Sequence, residues 1–186
     1  MNQDNPQPTK VFDIRKISKL PHLKYFIDTN ILKFTFARTI INEKNYQTHF
    51  YPEFIKKLRK EKCLCFTTTL NILELFSIID KIDVELKNLK SIKNYRERNL
   101  DQYLAVREGI YEEVTSLINI FPSTIDLENI INYFSIDFSI DLHDYVYTKI
   151  IPNEELAVVT DDFEFVNISG INIFTANNKA LELASK

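Results

Sequence analysis

Residues 156–162 read LAVVTDD, and no other stretch constrains the fold of this chain as strongly. The apolar run is valine-rich and too brief for a helix, stops at a threonine and two aspartates, and leads into a helix-like segment. It therefore reads as a buried strand that delivers carboxylates to its end. Open parallel sheets bind ligands at that edge. Residues 24–30, KYFIDTN, repeat the design, with Asp28 standing where a second apolar run gives way to polar residues. Two strands ending in acid point to a site.

At 186 residues, 45% of them hydrophobic and 12% aromatic, the chain is expected to form a single domain with an ample core. Its two glycines, Gly109 and Gly170, cannot spell a Walker loop or a dinucleotide fingerprint, which argues against ATP or NAD chemistry. A net charge of −3 speaks to solubility and steering and leaves local basic patches undetermined. The N-terminus lacks a basic segment followed by an apolar core, and no run of about 18 apolar residues occurs. A cytoplasmic protein with no membrane association is expected. Cys63 and Cys65 lie two apart on an expected strand, sharing one face without a histidine nearby, so they are read as buried free thiols rather than zinc ligands.

Residues 1–20 carry Pro6 and Pro8 with little periodicity and are expected to be a flexible tail, leaving 21–186 as the domain. Helical spacing follows Asp28 over residues 31–41, and a second helix is expected over 52–60. Residues 63–67 form the next short strand, and the threonines at 67–69 cap a helix from Leu70 that is apolar on most sides. Its polar stripe is Asn71, Glu74 and Ser77, facing either solvent or a polar cleft. Residues 80–113 read as an insertion of two exposed helices broken near 93–96, where Lys87, Lys90, Lys93 and Arg96 interleave with tyrosines. Such a pattern suits phosphate contact and base stacking, although a charged helical face is commonly only solvated. A strand at 117–121, a helix at 125–134, a helix from about 139 to 151 and an edge strand at 171–174 complete an α/β chain with a mostly parallel sheet of four to five strands.

Asp28, Glu74, Asp144 and Asp162 occupy comparable places, each able to reach the same strand-end cleft. Each also has a structural alternative, since Asp28 and Asp162 can cap helices and Asp144 can form a capping box with Asp141. Carboxylates that close repel unless something positive joins them, and a hard divalent cation is the natural partner. Taken in order, the strand into Asp28-Thr29-Asn30, the Thr69 entry to Glu74, Asp144 heading a helix, and the TDDFEF run at 160–165 resemble the PIN domain family of nucleases. The resemblance covers most of residues 24–175, and the 16 residues from Asp144 to Thr160 are similar to that family's helix-then-strand unit. Tyr145, Val146 and Tyr147 depart from it, since small residues usually follow the third acid there.

The resemblance implies a three-layer α/β/α fold and a metal-dependent ribonuclease. Asp28, Asp144 and Asp162 would bind one or two Mg²⁺ or Mn²⁺ ions, Glu74 would be a further ligand or water holder, and an activated water would attack the phosphodiester. Asn30 and Thr160 would orient carboxylates or the scissile phosphate. Lys33, Arg38, Lys87, Lys90, Lys93 and Arg96 are the candidate RNA-binding cations. A toxin paired with an antitoxin-like protein, and a homodimer, are the roles it implies for a small member. Asp161 reads as an exposed cap and His143 as a surface histidine. Two rival classes stand beside it. An aspartyl-phosphotransfer phosphatase wants a second aspartate where Asn30 stands. A catalytically silent RNA- or protein-binding module would be expected to have lost its acids.

Overall fold

The computed structural model describes residues 9–21, 24–37, 45–121, 147, 151 and 155–185. Six strands form one sheet: β1 (Lys10–Asp13), β2 (Lys24–Ile27), β3 (Leu64–Thr68), β4 (Asn119–Phe121), β5 (Ala157–Val159) and β6 (Asn172–Thr175). Their order is β1-β6-β5-β2-β3-β4, and every pairing is parallel. Around the sheet lie α1 (Thr29–Phe36), α2 (Tyr46–Lys60), α3 (Thr69–Leu86), α4 (Ile92–Arg98), α5 (Leu100–Leu117) and α6 (Asn178–Leu183), with a 3-10 turn at Glu164–Asn167.

Strand alternation divides the core in two. Tyr25 and Ile27 of β2, Ala157 and Val159 of β5 and Phe174 of β6 face one side, where they pack with Ile31, Leu58, Leu75 and Val114 from four helices. Phe26, Val158 and Ile173 face the other and pack with Tyr147, Ile151 and Phe165. Tyr147 and Ile151 are both helical and buried. A sheet covered on both faces needs strands without a polar side, which is why YFI at 25–27 and AVV at 157–159 read as continuous apolar runs. The α/β, three-layer expectation therefore holds.

Several boundaries differ from the sequence reading. Residues 10–13 were expected in a tail but form the edge strand β1, paired with β6 from Lys10↔Asn172 to Asp13↔Thr175, so the sheet has six strands rather than four or five. The strand near 171–174 is consequently internal, lying between β1 and β5. Gly170, at φ +81, makes the turn that admits it. Helix α2 begins before Pro52 because Asn45 and Thr48 form a reciprocal capping box, and the proline is accommodated inside the helix. The insertion is less exposed than expected. Helix α3 runs on to Leu86, while Ile110 and Val114 of α5 join the main core. The helix expected at 125–134 lies outside the described residues.

Candidate active site

Parallel pairing puts the carboxyl ends of β2, β3 and β5 side by side. The register Ile27↔Val159 sets Asp28 beside Thr160, and the Asp28 amide donates to the Val159 carbonyl at 3.1 Å. Asp28 is also the N-cap of α1, and its carboxylate accepts from the Thr29 amide at 2.7 Å. The structural and functional readings of this aspartate are thus compatible. Its other oxygen accepts from the Thr160 hydroxyl, also at 2.7 Å.

Glu74 enters from the second turn of α3. That helix is started by a capping box between Thr68 and Asn71, and Asn71 is wholly buried. The Asn71 side-chain amide donates to the Thr29 hydroxyl at 2.9 Å, and Thr29 in turn donates to the Glu74 carboxylate at 2.6 Å. The first half of the Asn71-Glu74-Ser77 stripe therefore faces the cleft, while Ser77 is exposed. On the opposite side, the Asp162 amide donates to the Thr160 hydroxyl at 3.0 Å. The Asp162 carboxylate is occupied by the Glu164 amide at 2.8 Å. Two threonines, Thr29 and Thr160, thus join the acids from β2, α3 and the β5 end.

Burial pushes the Asp28 carboxyl up to about 7; the hydrogen bonds from Thr160 and Thr29 oppose this, and the negative charges of Glu74 and Asp162 add to it. None of these three acids is in an ion pair among the described residues. The donor chemistry suits a hard cation such as Mg²⁺, being all oxygen and short of positive charge. Among the described residues, no group of three or more acids, histidines or cysteines is placed to hold a metal ion. Asp144, Asp141, His143 and Arg38 lie outside those residues. Asn30 sits half-buried in the first turn of α1.

Asp161 is engaged rather than an exposed cap. Its carboxylate accepts from the hydroxyls of Tyr51 at 2.6 Å and Tyr46 at 3.1 Å and from the Gln47 amide at 2.9 Å. Its carbonyl accepts from the Asn177 side chain at 2.6 Å. Tyr51 is buried and its hydroxyl also accepts from the Ala176 amide at 3.1 Å. These contacts pin the chain after β5 to α2 and β6, so that Asp162 leaves the strand in a fixed direction. Tyr46, Gln47 and Tyr51 carry no sequence pattern that marks them for this role.

The expected RNA-binding cations divide into two groups. Lys87 pairs with Asp83 at 2.7 Å and lies 4.2 Å over the Tyr95 ring, and Arg96 pairs with Asp80. Buried Arg107 bridges the same two aspartates at 2.7 Å each. Much of the cluster thus fastens α4 and α5 to α3. Lys90 and Lys93 are exposed, and Lys33 is half-buried over the Phe34 ring. Cys63 and Cys65 are free thiols, the second buried, with burial pushing its pKa up to about 12.

No helix among the described residues is long and apolar enough to cross a membrane. No family model matches the chain, and no curated protein matches it. Among solved structures, the crystal structure of PAE2754 from Pyrobaculum aerophilum is similar at 16% identity over 88% of this chain and 91% of that one, with a TM-score of 0.49, a likeness too slight to bear on function.

Proposed function

We propose that this chain is a Mg²⁺- or Mn²⁺-dependent endoribonuclease of the PIN type, hydrolysing RNA phosphodiesters with water as the nucleophile. The observation that carries this reading is the un-neutralised acidic cluster at the carboxyl edge: Asp28, Glu74 and Asp162, drawn from three segments and linked through Thr29 and Thr160. Asp28, Asp162 and Asp144 would hold the metal, with Glu74 as a further ligand. When bound, the ion supplies Lewis-acid stabilisation of the phosphodiester and lowers the pKa of water.

The chain's own contribution is orientation. Thr160 donates to Asp28 and accepts from the Asp162 amide, so one hydroxyl fixes the separation of two carboxylate-bearing segments. The Asn71 amide uses the acceptor capacity of the Thr29 hydroxyl and thereby directs its proton to Glu74. Neither threonine carries charge, so each positions an acid without competing for it. An antitoxin-like protein covering the cleft and a homodimeric assembly belong to the same proposal.

The test is cleavage of a mixed RNA pool by the full chain with Mg²⁺, with Mn²⁺ and with EDTA. Metal-dependent cutting, lost in both Asp28→Asn and Asp144→Asn, is the expected result. A folded wild type that cuts no RNA with either metal would refute it.

A further inference from the structure

The linker between α3 and α4 borders an open cavity of about 430 Å³, whose lining includes Asn88, Lys90, Ser91, Asn94, Tyr95 and Arg98 but no acid. We infer that this cavity is a second contact point for RNA, holding backbone phosphate some distance from the cleaved bond. The inference rests on the nuclease reading and extends it to how substrate is gripped.

Three observations meet here. The first is which cations are left over. Lys87 and Arg96 are committed to Asp83 and Asp80, whereas Lys90 and Arg98 make no ion pair among the described residues and converge on one concavity. The second is the neutral lining. Asn88 and Asn94 present exposed side-chain amides, whose N–H groups are donors suited to phosphate oxygen. The third is alignment with the acids. Glu74 and Lys81 are seven residues apart on α3, hence on one side of it, and the chain leaves the helix at the Lys87 cap to enter the cavity wall at Asn88. At about 1.5 Å of rise per residue, this places the cavity about 20 Å along the helix from Glu74, with exposed Lys81 between. Glu85 is the acid on that side.

The occupant is phosphodiester rather than base. The Tyr95 ring is buried, covered by Lys87 on one face and met by the Tyr103 ring, so it offers no open stacking platform. Binding at this point therefore adds affinity without sequence preference.

The experiment is equilibrium binding of a labelled single-stranded RNA of about 16 nucleotides to the full chain in EDTA, across a series of salt concentrations. Relative to wild type, the Lys90→Ala/Arg98→Ala double variant is expected to bind about tenfold more weakly, and its salt slope should fall by about 1.4, two phosphates at about 0.7 each. Glu85→Lys is expected to bind more tightly, a gain that misfolding cannot mimic. Two RNAs of unrelated sequence should respond alike. Millimolar inorganic phosphate at constant ionic strength should not displace RNA. Unchanged affinity and slope in the double variant of a wild type that binds and cleaves would overturn this inference alone. Displacement by phosphate would overturn it in favour of a free-anion site. A wild type that neither binds nor cleaves RNA would remove the nuclease reading and this inference together.

Discussion

Replacing Asp28 by asparagine should stabilise the metal-free protein at alkaline pH while abolishing the proposed RNA cleavage. Burial raises the Asp28 pKa from 3.8 to about 7 in the folded state. The native chain therefore holds a proton that the unfolded chain has already released between these values. Stability must fall as pH rises through that window, and the loss is complete above the folded value. A shift of this size corresponds to a ceiling on the order of 4 kcal/mol at about 1.4 kcal/mol per pH unit. Asparagine retains an oxygen to accept from the Thr29 amide and remains a good N-cap, so the substitution removes charge while preserving the cap. Realising about half the ceiling, about 2 kcal/mol, would raise Tm by about 4 to 8 °C for a chain of this size. Thermal melts in EDTA at pH 8 should show this gap between variant and wild type, and melts at pH 5 should show it shrinking. Saturating Mg²⁺ should close the gap at pH 8 by stabilising the wild type. A variant less stable than wild type at pH 8 without metal, or a gap independent of pH, would refute the reasoning.

Thr160→Val keeps the side-chain shape but removes the hydroxyl that donates to Asp28 and accepts from the Asp162 amide; a loss of tenfold or more in kcat with little change in KM is expected in steady-state cleavage. Arg107→Leu removes the buried cation that bridges Asp80 and Asp83 but leaves each its second partner, Arg96 and Lys87, and a cost of about 1.5 to 3 kcal/mol is expected by urea denaturation. Hydrogen exchange in that variant should show α4 and α5 losing protection before the central strands do. Asp161→Ala takes the shared acceptor away from Tyr46, Gln47 and Tyr51, and about 1 to 3 kcal/mol of stability should be lost on thermal or urea unfolding.

What the sequence makes visible is the part of the site written in single segments. Asp28, Thr160 and Asp162 stand where an apolar run gives way to polar residues, and the physics that buries the run also fixes the side on which its end emerges. Glu74 is legible for a similar reason, since over residues 70–79 it stands with Asn71 and Ser77 in an otherwise apolar run. Contacts between distant segments are not legible. The four residues of β1 offer just Val11 and Phe12 as core candidates after a proline-containing segment, and only pairing with β6 makes them a strand. The Asp161 latch joins it to residues more than a hundred positions away in α2. The basic cluster misleads for the same reason: Lys87 and Arg96 look available until Asp83 and Asp80 are brought against them.

The order of the sheet also governs when such a site can exist during synthesis. Strand β2 pairs with β3 across about forty residues, but its other neighbour is β5, with Tyr25 opposite Ala157, and β1 waits for β6, with Lys10 opposite Asn172. Pairings of that span are formed late, because the loop entropy must be met before they stabilise anything. An emerging chain can order β2, α1, β3 and α3, and with them Asp28 and Glu74, yet Thr160 and Asp162 reach the cleft only when the last thirty or so residues arrive. The acidic centre is thus assembled by strands made more than a hundred residues after the ones they join, so a half-synthesised chain carries its acids in pieces.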